Sequence, residues 1–213
     1  MDEVTLKHHE RISVYKVSKR LFDIAFSLFV IVSFSWLFFL IAIAIKVDDP
    51  NGPVLFKQLR VRKEGKTFNM WKFRSMYADA EEQLASLMKF NEKDGPVFKI
   101  RNDPRVTRVG RFLRKTSLDE LPQFFNVLFG QMSIVGPRPA LSSEVAQYTP
   151  HQALRLACDA GITSFWQVHP KRDDLSFSEW IELDLQYVRE RCFLTDMKLI
   201  AKTIGVVLTA QGS

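Results

Sequence analysis

Two adjacent carboxylates stand directly behind a basic stretch in Arg111-Phe-Leu-Arg114-Lys-Thr-Ser117-Leu-Asp119-Glu120-Leu-Pro-Gln123. A carboxylate set among cations can attack phosphorus as a nucleophile or ligate Mg²⁺. The same spacing also reads as plain architecture. Ser117 as N-cap with Glu120 three residues on is a capping box, and acids suit a helix N-terminus. Pro122 complicates that cap, because it falls just beyond the free N–H positions, so the helix kinks or starts later. Gly136-Pro137-Arg138-Pro139 holds one arginine in a stiff loop. Guanidinium suits bidentate phosphate binding there, with a turn carrying a surface arginine as the equal alternative. Arg105, Arg108, Arg111 and Arg114 recur every three residues, the pattern of a solvated helix stripe. Cys158 and Cys192 form no CxxC and no zinc spacing, and the four histidines form no metal set. His8-His9 reads as a solvated tail pair. Phosphate-loop, dinucleotide, serine-hydrolase and zinc-protease signatures are absent.

These residues need a scaffold, and 213 residues with 46% hydrophobic and 25% charged side chains can build one. That composition excludes a disordered chain, a collagen and a disulfide mini-scaffold. Residues 46–213 read as an α+β domain. Val54–Val61 and Thr67–Met76 form a β-hairpin across Lys63-Glu64-Gly65. Ala78–Phe90 carries Leu84, Leu87 and Met88 at helical spacing. Gln123–Phe129 is helical and stopped by Gly130. Thr149-Pro150 opens a helix with Leu154 and Ala157 inward. Ser176 and Glu179 cap another that carries Trp180, Leu183 and Tyr187. Ile200, Ile204 and Val207 mark a last amphipathic helix.

Charge is uneven. The net +6 gathers in residues 57–74 and 99–115, each with seven Lys/Arg against one acid. Neither patch carries a nucleic-acid-binding signature. They suit an anionic lipid surface or substrate phosphates.

The apolar content is uneven too. The 22 residues from Ile24 to Ile45 carry no charge. As one helix they would reach about 33 Å, enough for a bilayer core of about 30 Å. The run is too long for a signal-peptide core of about 7–15 residues, and acids precede it. Lys and Arg flank both ends, so orientation is not set by charge. A spanning helix and a re-entrant one with both basic flanks on one face both fit, and Ser33 and Ser35 could satisfy backbone groups freed at a bend. The expected division is a basic amphipathic segment over 1–20, a membrane-embedded re-entrant helix over 21–46, and a mostly helical catalytic domain with a small sheet over 47–213.

The chain resembles the bacterial sugar transferases, the monotopic polyprenyl-phosphate phosphoglycosyl transferases. The resemblance rests on ordered blocks: Lys19-Arg20-Leu-Phe-Asp23, Gly52-Pro-Val-Leu-Phe56, Trp71-Lys72-Phe-Arg-Ser-Met76, Asp119-Glu120-Leu-Pro-Gln-Phe-Phe-Asn126, Met132-Ser-Ile-Val-Gly-Pro-Arg138-Pro139 and Gly161-Ile-Thr163. It implies transfer of a sugar-1-phosphate from a UDP-sugar to polyprenyl (undecaprenyl) phosphate with release of UMP, the initiating step of bacterial polysaccharide or glycoprotein glycan assembly. It further implies Mg²⁺ as cofactor, Asp119 as nucleophile, and Glu120 as general base or metal-binding partner, with Asp119 and Glu120 at the metal. Lys72, Arg114 and Arg138 match positions around the phosphates, and Arg172 matches the arginine of a later motif. The implied place is the cytoplasmic face of the inner membrane, with membrane lipids as partners and no nucleic acid. Self-association into a homo-oligomer stays open. Trp36 stands after Ser35 where family members often have proline, and Ala160-Gly161-Ile-Thr-Ser164 and Gln167-Val-His169-Pro-Lys171-Arg172 depart from the usual motifs. The alternative, from another class, is a membrane-tethered basic module that binds nucleic acid or anionic lipid.

Overall fold

The computed structural model describes residues 3–209, with side chains described from residue 14. The side chains of His8 and His9 therefore lie outside the description. In chain order the elements are α1 (Glu3–Ser33), α2 (Ser35–Asp48), β1 (Leu55–Val61), β2 (Thr67–Phe73), α3 (Leu84–Leu87), α4 (Arg108–Lys115), α5 (Gln123–Leu128), β3 (Ser133–Val135), α6 (Ser142–Val145), α7 (Pro150–Ala153), β4 (Gly161–Thr163), α8 (Phe177–Glu190) and α9 (Phe193–Leu208).

The uncharged run is two helices rather than one. Among the described residues no single helix is long and apolar enough to cross a membrane; α1 from Val14 and α2 meet at a 61° bend. Neither proline nor glycine causes it. Phe34 leaves helical geometry at φ −105° and ψ 14°, and the Ser35 hydroxyl donates to the freed Val32 carbonyl at 3.0 Å. The polar residues ahead of the bend dock α1. Arg20 donates to the Val127 and Leu128 carbonyls at 2.6 and 2.9 Å, covering the open end of α5. Asp23 accepts from the Ser133 hydroxyl at 2.7 Å, and Lys19 pairs with Asp196 at 2.9 Å. Beyond the bend, Ile41 and Ile45 pack with Phe73 and Leu113. The outer faces stay bare: Phe29, Val32, Trp36, Phe39 and Val47 are all exposed.

β1 and β2 pair antiparallel, from Leu55 opposite Phe73 to Val61 opposite Thr67. Lys63-Glu64-Gly65 makes the turn as the sequence predicts, with Glu64 and Gly65 at φ 60° and 73°. β3 and β4 form a separate parallel pair. Phe68, Met70, Val127, Ile134, Val135, Tyr187 and Leu199 build the core that joins the strands to α5, α8 and α9. Asn126 ties α5 to the open edge of β2: its side chain accepts from the Trp71 N–H at 2.9 Å and donates to the Asn69 carbonyl at 2.8 Å.

Several sequence expectations need correction. Ala78–Phe90 is not one helix; only α3 and a 3₁₀ turn at Met88–Phe90 form. Its apolar residues find no core, since Leu84, Met88 and Phe90 are exposed. β2 ends at Phe73, with Met76 bridging Val106 alone. The arginine stripe is not uniform. α4 starts at Arg108, so Arg105 lies outside it and is buried against Asp103, while Arg108 and Arg111 face solvent. α7 gives way to a 3₁₀ segment at Leu154, which turns Leu154 outward and Arg155 inward. In α9, Leu199 and Ile200 are inward, whereas Ile204 and Val207 are exposed.

Candidate active site

Four separate elements bring their charges to one place. Lys72 follows Phe68 and Met70 on the same face of β2, because side chains alternate along a strand. It emerges at the edge of the core. Its Nζ lies 2.7 Å from Glu120 Oε1 and 3.9 Å from Asp119 Oδ2.

Asp119 and Glu120 sit on a 3₁₀ turn, Leu118–Glu120. The expected Ser117 capping box does not form. Ser117 adopts the left-handed region at φ 56° and its side chain caps nothing. α5 begins only at Gln123, with Pro122 before it. A proline cannot donate to the preceding turn, so it separates the carboxylate turn from the helix. The result aims both acids at Lys72 instead of burying them in a cap.

Arg114 comes from the last turn of α4, and three contacts set that helix. Thr107 caps it through the Gly110 N–H at 2.9 Å, and Asp48 at the end of α2 accepts from the Val109 N–H at 2.9 Å. Gly110 lies against β2's extension so closely that a Cβ would come within 1.9 Å of the Ser75 carbonyl oxygen. Arg114 Nε then donates to the Ser75 hydroxyl at 2.9 Å.

Arg138 follows β3 and reaches Glu120 Oε1 at 3.8 Å. Arg172 does not join the cluster. It is half-buried and its hydrogen bond goes to the Gln167 carbonyl at 3.4 Å. Spacing alone did not single out Gln123 and Gln167. Both line the cavity that Glu120 and Arg138 open onto, together with Met70, Pro139, Gly161 and Ile162. Gln123 also helps hold the Glu120 carboxyl down. A neutral amide carries no charge signal in a sequence, and only its place in the Asp-Glu-Leu-Pro-Gln block marked it.

The two acids are not equivalent. For Asp119, burial raises the carboxyl above its ordinary value, Lys72 offsets part of this, and the neighbouring Glu120 charge adds to the rise. For Glu120, burial pushes the same way, but Lys72 and Arg138 outweigh it and the net direction is downward. Among the described residues Asp119 accepts no hydrogen bond, although only 6% of it is exposed. A dry carboxylate with free lone pairs, held 3.9 Å from an ammonium, is suited to attack an electrophile that brings its own negative charge. Among the described residues no three His, Cys, Asp or Glu side chains converge on a metal position. Two carboxylates alone suit Mg²⁺, which commonly keeps waters and completes its octahedron with substrate phosphate oxygens.

The bacterial sugar transferase family model matches residues 14–210. The chain is 43% identical over 168 residues to a galactosyl transferase, CpsE, of Streptococcus agalactiae, covering 79% of this chain and 37% of that one. It is 41% identical to the undecaprenyl-phosphate galactose phosphotransferase of Salmonella typhimurium, covering 92% of this chain and 41% of that one. The exopolysaccharide production protein ExoY of Rhizobium meliloti is 37% identical, with 92% and 88% covered. The chain thus spans about two fifths of the length of the first two relatives and most of the third. The match takes in Lys72, Arg114, the Asp119–Glu120 turn and Arg138 together, and by it this chain belongs to the bacterial sugar transferase family.

Proposed function

We propose that the chain transfers a sugar-1-phosphate from a UDP-sugar to undecaprenyl phosphate and releases UMP. The observation that carries this reading is the buried, hydrogen-bond-free Asp119 carboxylate facing Lys72 within a cluster of three cations and two acids. The Salmonella relative, an undecaprenyl-phosphate galactose phosphotransferase by name, supports the lipid acceptor and the phosphotransfer.

In the first half-reaction an Asp119 oxygen attacks the phosphorus that carries the sugar. The P–O bond to the UMP phosphate breaks, its electron pair leaves with UMP, and an aspartyl phosphosugar remains. In the second, an oxygen of undecaprenyl phosphate attacks the same phosphorus. Asp119 departs as carboxylate, leaving undecaprenyl diphosphate sugar. Lys72, Arg114 and Arg138 stabilise the charge that spreads over the phosphoryl oxygens. Asp119 and Glu120 would hold Mg²⁺. When bound, that ion neutralises the diphosphate and the leaving UMP. Glu120, 2.7 Å from Lys72 Nζ and 3.8 Å from Arg138 Nη1, would hold the ion beside Asp119 or serve as general base.

The bent α1–α2 pair would insert as a re-entrant hairpin from the cytoplasmic face of the inner membrane. The second arm has 14 residues, or about 21 Å at 1.5 Å per residue, short of a bilayer core of about 30 Å. Its exposed Trp36, Phe39 and Val47 would face lipid. The site would then lie at the headgroup level, where the acceptor phosphate is. The reaction would initiate glycan assembly.

The test is nucleotide release over a panel of UDP-hexoses and UDP-N-acetylhexosamines with undecaprenyl phosphate and Mg²⁺. UMP is expected; release of UDP, or no turnover with any donor, would sink the reading. For the hairpin, Thr5→Cys should be labelled from the cytoplasmic side, and labelling only from the periplasm would reject it.

A further inference from the structure

The loop that carries Arg138 is gripped from behind by two other arginines. Arg155 donates through Nη2 to the Arg138 carbonyl at 3.0 Å and through Nη1 to the Tyr148 hydroxyl at 2.7 Å. The same Nη2 pairs with Asp184 Oδ2 at 2.5 Å. Arg60, from β1, donates through Nη1 to the Pro139 carbonyl at 2.9 Å. In front, the Arg138 guanidinium lies over the Trp166 ring, 5.8 Å from its centroid. Trp166 stacks on Trp180 at 4.4 Å and 17° between planes, and Lys93 covers Trp180 at 5.3 Å. Arg138 thus ends a cation–indole–indole–cation stack, with its backbone pinned by two further cations.

Stability is a poor explanation for the Arg155–Asp184 pair. Asp184 is fully buried on α8, and burial pushes its carboxyl up to about 6 even with Arg155 beside it. Buried ion pairs of this kind are often replaceable by apolar residues without loss of stability. An apolar pair could not deliver two directed N–H groups, one to Tyr148 and one to the residue 138 carbonyl. Asp184 forms no hydrogen bond of regular geometry with Arg155, and its oxygens are otherwise unpartnered; its charge, 2.5 Å from Nη2, holds the guanidinium where its N–H groups meet the residue 138 carbonyl and Tyr148.

We propose that Arg155 and Asp184 are positioning residues for Arg138, fixing its backbone so that its guanidinium stays on Trp166 and within reach of Glu120 and the substrate diphosphate. Neither touches the reacting atoms. The proposal rests on the phosphoryl-transfer reading above.

The experiment is a double-mutant cycle between Asp184→Asn and Arg138→Ala. It is read by kcat and KM for the UDP-sugar and, without turnover, by UDP affinity in calorimetry. Misplacement of a catalytic group by about 1 Å can cost 10²-fold, so Asp184→Asn alone should lower kcat about 10- to 100-fold and weaken UDP. In the Arg138→Ala background the same change should have less than about a twofold effect on either quantity, since its target is gone. Equal losses in both backgrounds would mean a general structural role and overturn the proposal. Should Asp184→Asn not fold, Arg155→Lys enters the same cycle, keeping the buried charge and losing the fork. A wild-type protein that turns over no UDP-sugar would sink the transferase reading. The UDP-affinity cycle would still decide on the clamp.

Discussion

Asp103 and Asp119 are the same residue type and equally shielded from solvent, 8% and 6% exposed, though Asp119 is packed more deeply among protein atoms, and their carboxyls move in opposite directions. Burial alone would raise both. Asp103 is gripped by Arg105, which donates at 2.9 Å to one oxygen and 2.6 Å to the other, and the Arg105 backbone N–H adds a third bond. Those bonds outweigh burial and hold it low. Asp119 has cations around it but none bonded to it, and it stays raised. Asp49 repeats the first arrangement, paired with Arg74 and held low beneath the end of α2. Asp103 and Asp49 are each matched to an arginine by hydrogen bonds. Asp119 is not, and it is the proposed nucleophile.

The comparison breaks most easily at Asp119→Asn. UMP release should fall by about 10⁴-fold or more, as expected for loss of a covalent nucleophile. The melting temperature should not fall. A raised folded value means that ionisation of Asp119 opposes folding: its contribution is most favourable below the unfolded value of 3.8 and is lost as pH rises through the folded one. The neutral amide removes that opposition. A destabilised Asn variant would contradict the contrast.

The next largest effect is the opposite one. Asp103→Ala strands the buried Arg105 and should cost about 3–5 kcal/mol in urea unfolding, with activity per folded molecule retained. Asp103 is held low, so its contribution is present above 3.8 and fades as pH falls through the folded value. Wild type and Asp103→Ala should therefore converge in stability in acid. The smallest effect is on titration. In the metal-free protein the Asp119 carboxyl should titrate above the ordinary aspartate value and the Asp103 carboxyl below it, read by carboxyl NMR. An Asp119 value at or below 3.8 would remove the distinction between the two carboxylates.

The hairpin, its Glu64-Gly65 turn and the capped α8 were legible because turn and capping chemistry are local. Lys72, Arg114, Asp119, Glu120 and Arg138 came from the family resemblance, and the fold brings them together. Ser117 misled because its spacing to Glu120 is that of a cap, while its backbone enters the left-handed region and Pro122 delays the helix. Residues 78–90 misled because helical spacing does not guarantee a core to pack on. Arg155 and Asp184 left no trace in the sequence. They meet from different helical segments, and a buried arginine looks like any surface one until the turn at Leu154 faces it inward.

The 61° bend between α1 and α2 has a kinetic consequence under the proposed topology. A hairpin anchored in one leaflet confines the catalytic pocket to a plane, so it meets its lipid acceptor by two-dimensional search and its nucleotide donor by three-dimensional search. Adding inert detergent at constant total acceptor should then slow turnover by diluting the acceptor within the surface, while leaving the donor's half-saturation concentration unchanged.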